Sequence, residues 1–109
     1  MKLIFAIIND EDSPRLISEI NRSGQRITKL NSTGGFLRSG NTTLMAVVED
    51  EMLEKVLGII RKYARSRKAV VNSSVTPSVL GGTFMPLPVE VQIGGATVFV
   101  VNVEHFEKI

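Results

Sequence analysis

An α+β fold, with two helices laid on one face of an antiparallel sheet, is the class this sequence predicts. Three observations carry the prediction. Strand-like apolar runs recur along the chain, two segments between them have helical apolar spacing, and glycine or proline separates the pieces. Over 109 residues the order is strand, helix, strand, strand, helix, long loop, strand, strand. The first five elements plus one closing strand make βαββαβ, the order of a ferredoxin-like sandwich, here with an extra hairpin and long loop. One domain spans 1–109, since the length allows a single core.

Lys2 to Ile8 is a near-continuous apolar run, as expected of a central strand buried on both faces. It opens like a short signal peptide, but it holds one positive charge and runs straight into Asn9-Asp10-Glu11-Asp12 without a small-residue cleavage site. Ser13-Pro14 predicts a helix start, with serine as the cap and proline in the first turn. Leu16, Ile17 and Ile20 supply its apolar stripe, and Gly24 ends it. Gln25 to Ser32 is strand-like but carries polar residues on both faces. A glycine-rich loop, Thr33 to Asn41, leads to a strand over Thr42 to Val48. Asp50 is expected to cap the second helix, whose apolar face is Met52, Leu53, Val56, Leu57, Ile60 and Tyr63. Its end carries Arg61, Lys62, Arg65, Arg67 and Lys68, placed to favour the negative pole of the helix dipole.

Ala69 to Pro88, rich in serine, threonine, glycine and proline, predicts a long excursion. Leu87, Val89, Val91 and Ile93 alternate with polar residues, the clearest strand pattern in the chain. Gly94-Gly95 predicts a two-residue hairpin turn with positive φ at both positions, returning into the strand Ala96 to Val103. Such a sheet leaves one face open, and Thr28, Val47, Gln92 and Phe99 are the residues expected to line it. Open faces of this kind commonly associate with copies of themselves.

Composition excludes several functions. The chain is 43% hydrophobic and 22% charged, too apolar for disorder, and no run approaches the ~18 residues of a membrane span. Without cysteine, neither a disulfide scaffold nor a thiolate metal site nor a cysteine nucleophile exists, which fits a cytoplasmic setting. The one histidine, His105, stands near the end of the chain, and a zinc site needs three or four donors. There is no G-x-S-x-G elbow, and Glu49, Asp50 and Glu51 fit a helix start better than a carboxylate pair. Gly35 to Thr42 is one letter from a Walker A loop. Asn41 replaces its lysine, however, and a strand rather than a helix follows. No catalytic constellation and no metal site emerge. A formal charge of +2, two strand aromatics (Phe5 and Phe99) and no RNP1 pattern argue against a nucleic-acid module.

Arg26 to Thr43 contains what a nucleotide site requires. Gly34-Gly35 can turn backbone amides toward an anion, and Phe36 offers a ring for stacking on a base. Arg26 and Arg38 can fork onto phosphate oxygens, and Asn41 has the donor and acceptor that read an adenine edge. A flexible hairpin loop, with a solvent-facing arginine and a phenylalanine tucked into the core, accounts for the same composition.

The block from Thr28 to Thr43, with its T-G-G-F-L-R-S-G-N-T core, followed by Pro88 to Val100, resembles the PII-like cyclic-di-AMP receptor family over essentially the whole chain. The resemblance implies a homotrimer of ferredoxin-like subunits holding one cyclic di-AMP in each cleft between neighbours, without chemistry. Its two loops, near 33–40 and 69–87, would engage an unidentified protein partner in the cytoplasm, with no role for nucleic acid or membrane. By the same resemblance Arg26 and Thr28 hold a phosphate, Gly35, Phe36 and Leu37 cover one adenine, and Asn41 reads an adenine edge. Gly94 and Gly95 let the backbone approach the nucleotide. Three positions depart from the family pattern. Val47 stands where a glycine is usual, Lys108 where some members have glutamine, and Gly24 where some have asparagine. The short first loop and long second loop reverse the arrangement of ordinary PII proteins. The alternative is a PII-like regulator that answers to a different adenine nucleotide, such as ATP.

Overall fold

A computed structural model describes residues 1–30, 40–74 and 86–109, including side chains except at 71–74, 86 and 87. Among the described residues, six strands and two helices follow in the order β1 (Lys2–Asn9), α1 (Ser13–Arg22), β2 (Thr28–Leu30), β3 (Asn41–Val48), α2 (Leu53–Ala64), β4 (Arg67–Ser74), β5 (Pro86–Ile93) and β6 (Ala96–Asn102). Four strands form an antiparallel sheet in the order β2-β3-β1-β6, the arrangement expected of a ferredoxin-like sandwich.

Alternation along the strands decides which face carries the helices. Ile4, Ala6 and Ile8 of β1 and Leu44, Ala46 and Val48 of β3 are buried, against Leu16 and Ile20 of α1 and Val56, Ile60 and Ala64 of α2. Met52, Leu53, Leu57 and Tyr63 flank this core, so the helical spacing read from the sequence corresponds to the buried face. The guanidinium of Arg15 lies 5.1 Å from the Tyr63 ring centre and ties the two helices together at their rim. The intervening residues of the sheet face outward, so within one subunit β1 is fully buried on one face only, not on both as its unbroken apolar run predicts. Phe5 opposes both Met45 and Phe99, and Leu3 opposes both Val47 and Val101. Phe99 and Val101 remain 49% and 47% exposed, so this face is apolar and uncovered by any described element.

Both helix starts differ from expectation. Ser13 is the first helical residue of α1 rather than its cap; Asp12 occupies the cap position, and its carboxylate makes no bond to the helix amides. A 3₁₀ turn, Asp50–Met52, precedes α2, and Glu49 is the residue at its start. β2 is also shorter than the pattern from Gln25 onward suggested, with 25–27 outside the ladder.

The larger correction concerns the closing half of the chain. β5 does not form a hairpin with β6. It pairs with β4 in a separate two-stranded ribbon, Arg67 opposite Ile93 through Ser74 opposite Pro86. Thus 69–74 and 86–87, expected within a long loop, belong to strands, and Gln92 lies on the ribbon rather than on the open face. Gly94 and Gly95 do have positive φ, 73° and 98°, but they form the corner where the chain leaves the ribbon and enters β6 beside β1. Positive φ meets the local requirement of either a hairpin or a corner; which one forms depends on the partner strands.

Candidate functional site

The described candidate residues form two groups at opposite ends of the open sheet face. Thr28 begins β2 and is exposed, opposite Met45. Arg26 precedes it by two residues, also exposed, on the Val47 side of that pairing. Val47 itself is half-buried opposite Leu3, its side chain on the outward face. A guanidinium, a hydroxyl and a compact apolar surface therefore sit toward one end, a set suited to a phosphate beside a purine.

Asn41 lies at the other end. It is the first residue of β3, exposed, and opposite Asn9. Six residue steps along the strand separate it from Val47, about 20 Å at the usual rise. Its neighbours on both sides are held by one residue. The Asp10 amide donates to the Gly40 carbonyl at 2.8 Å, and the Thr42 hydroxyl donates to the Asp10 carboxylate. Gly94 and Gly95 lie at this same end of the sheet, because β6 begins with Ala96 opposite Ile8. Gly35, Phe36 and Leu37, with the rest of 31–39, lie outside the described residues.

At Gly94 the structure gives glycine a reason that the sequence did not. A Cβ there would lie 2.5 Å from an Arg67 guanidinium nitrogen and 2.6 Å from the Arg65 carbonyl oxygen. Arg67 is held in that place by Asp12, whose carboxylate accepts from both terminal nitrogens at 2.9 and 3.3 Å. The Asp12 side chain is only 9% exposed, and this fork supplies its counter-charge. The same hydrogen bond and charge raise the Arg67 pKa above its ordinary value. Asp10, Asp12 and Arg67 were absent from the sequence-derived site. The acidic run entered the sequence reading only as an argument against a signal peptide and Arg67 as a helix-end cation, and contacts 32 and 55 residues apart leave no periodic signal.

Gly95 donates its amide to the Ala64 carbonyl at 2.7 Å, anchoring the corner to the end of α2. Beside it a cavity of about 400 Å³ opens between Ile60, Ala64 and Val98, with Arg61 and Arg65 at its edge. His105 is exposed and pairs with Glu107 at 3.0 Å. No grouping of three metal-ligating side chains occurs among the described residues, and no described helix is long and apolar enough to cross a membrane.

These features define a small α+β domain with polar, ligand-type groups at two ends of one exposed sheet face. Residues 1–109, the whole chain, match the cyclic-di-AMP receptor family, and the protein belongs to that family of nucleotide-binding signalling proteins. It is also similar to a crystal structure described as a functionally unknown protein from Pediococcus pentosaceus ATCC 25745. The two share 41% identity with a TM-score of 0.73, over 99% of this chain and 96% of that one.

Proposed function

We propose that this protein is a non-enzymatic cytoplasmic receptor that binds cyclic di-AMP in the clefts between subunits of a homotrimer. It signals through the segment 33–40 and the β4–β5 region, which takes in 69–87, to a downstream protein. Membership of the cyclic-di-AMP receptor family supports the ligand. The observation that carries the arrangement is the separation of the two residue groups. Asn41 and Val47 stand about 20 Å apart on one strand, too far to enclose one base. A ligand with two bases, bound where the end of one subunit meets the opposite end of its neighbour, brings the groups to a single site. The uncovered Phe5–Phe99 and Leu3–Val101 surface supplies the apolar contact such a neighbour requires.

In this site Arg26 and Thr28 hold a phosphate, while Gly35, Phe36 and Leu37 enclose one adenine. Asn41 reads a base edge, and Gly94 and Gly95 present backbone to the nucleotide. One observation favours a second reading. The outward, half-buried Val47 side chain fills space that a glycine would leave to a base, and this suits a PII-like regulator of another adenine nucleotide, such as ATP.

Titration calorimetry with cyclic di-AMP, cyclic di-GMP and ATP separates these readings. Saturable heat with cyclic di-AMP alone is expected at micromolar protein, and its absence removes the ligand assignment. A Val47→Gly variant is expected to alter cyclic di-AMP affinity by less than about fivefold, equivalent to ~1 kcal/mol. A much larger gain, with the melting temperature measured alongside, favours the second reading.

A further inference from the structure

We propose that the Asn9–Ser13 turn couples nucleotide bound at Asn41 to the β4–β5 ribbon, with Asp10 positioning Asn41 and the Asp12–Arg67 pair forming the joint. This inference rests on the reading that cyclic di-AMP binds at Asn41.

The connection is hydrogen-bonded at every step. Asp10 holds both neighbours of Asn41, through the Gly40 carbonyl and the Thr42 hydroxyl. Asp12 follows two residues later, within about 7 Å of chain. The turn between them is closed on itself. The Glu11 amide donates to the Asn9 side chain and the Asp12 amide to the Asn9 carbonyl, each at 3.0 Å, and the Ser13 amide reaches the Asp10 carbonyl at 3.3 Å. A shift at Asn41 is therefore passed through a stiff turn to Asp12. From there the carboxylate grips Arg67, the first residue of β4, and Arg67 also donates to the Arg65 carbonyl at 3.2 Å. Gly94, the residue after β5, packs against the same guanidinium, so both feet of the ribbon meet at this joint.

Two further observations assign the joint more than a packing role. Asp12 holds the cap position of α1, where an aspartate ordinarily accepts from the helix amides; here the carboxylate is turned away onto the ribbon. In addition, β4 and β5 pair with each other and with no other described strand. A two-stranded ribbon is marginal by itself, so its order responds to what fixes its feet.

Amide hydrogen exchange on the full chain tests this, with cyclic di-AMP as the probe. In the wild type, nucleotide is expected to slow exchange across 67–74 and 86–93. In Asp12→Asn and Arg67→Gln, the ribbon response should disappear at saturating cyclic di-AMP. Arg67→Lys, which keeps the charge but loses the fork, should respond weakly and covers the case of an unstable Arg67→Gln. Without nucleotide, Arg67→Gln should speed exchange at 40–44 by about tenfold. A ribbon response preserved in these variants, or a ligand-free change confined to the residues beside position 67, overturns the proposal. If wild-type protein gives no heat with cyclic di-AMP but the ligand-free change reaches 40–44, the binding reading fails and the joint itself stands.

Discussion

Phe99→Asp is expected to convert an assembly of about 36 kDa into folded particles of 11.9 kDa that no longer take up cyclic di-AMP. The effect should be large because Phe99 lies midway along the edge strand β6 on the outward sheet face, opposite Phe5 and two residues from Val101. No described element of its own subunit covers it. An aspartate buried there without a counter-charge costs several kcal/mol per interface. Within one subunit the site is 49% exposed, and the core formed by Ile4, Leu44, Leu16 and Val56 lies across the sheet. The fold of the subunit should therefore survive, with a change in its own stability of about 1 kcal/mol or less. Light scattering gives the particle mass and circular dichroism the fold. A variant that still assembles shows that this face is not where subunits meet.

Asn41→Ala should weaken cyclic di-AMP binding by about 1–3 kcal/mol, roughly 5- to 150-fold, measured by calorimetry. The asparagine amide can donate and accept at once, and its loss leaves a base edge unpaired in a desolvated cleft. Structural damage should be slight. Asn41 is exposed at the start of β3, and this point is held by the Asp10 amide donating to the Gly40 carbonyl and the Thr42 hydroxyl donating to the Asp10 carboxylate, not by the Asn41 side chain. Unchanged affinity with an unchanged melting temperature means that Asn41 only shapes the loop. The two substitutions differ in what they report. Phe99→Asp removes binding together with assembly, whereas Asn41→Ala should leave the assembly intact.

Local patterning made much of the architecture legible. The apolar run Lys2 to Ile8, the strand-like stretch Thr42 to Val48, and helical spacing at Leu16, Ile17 and Ile20 and from Met52 to Tyr63, locate the elements that form the core. Glycine marks the stop after α1, where Gly24 has a φ of 91°. The outward placement of Thr28, Val47 and Phe99 also follows from alternation once the order of elements is known. Of the candidate site, the chemical character of Arg26, Thr28 and Asn41 is plain in the residues themselves. Their division between two ends of one sheet face is not, because it depends on strand register.

What the sequence by itself determined is therefore written in neighbouring residues: the type of every element except β4, the buried stripes of the two helices and the positive φ at Gly94-Gly95. Only the tertiary structure decided that those glycines turn a corner between two sheets, that β5 pairs with β4, and that Asp12 leaves its helix to hold Arg67. The reason is physical. A positive φ or an alternating strand is satisfied by local sterics and solvent, whereas strand pairing and ion pairing are chosen among distant segments by which combination buries the core and neutralises its charges.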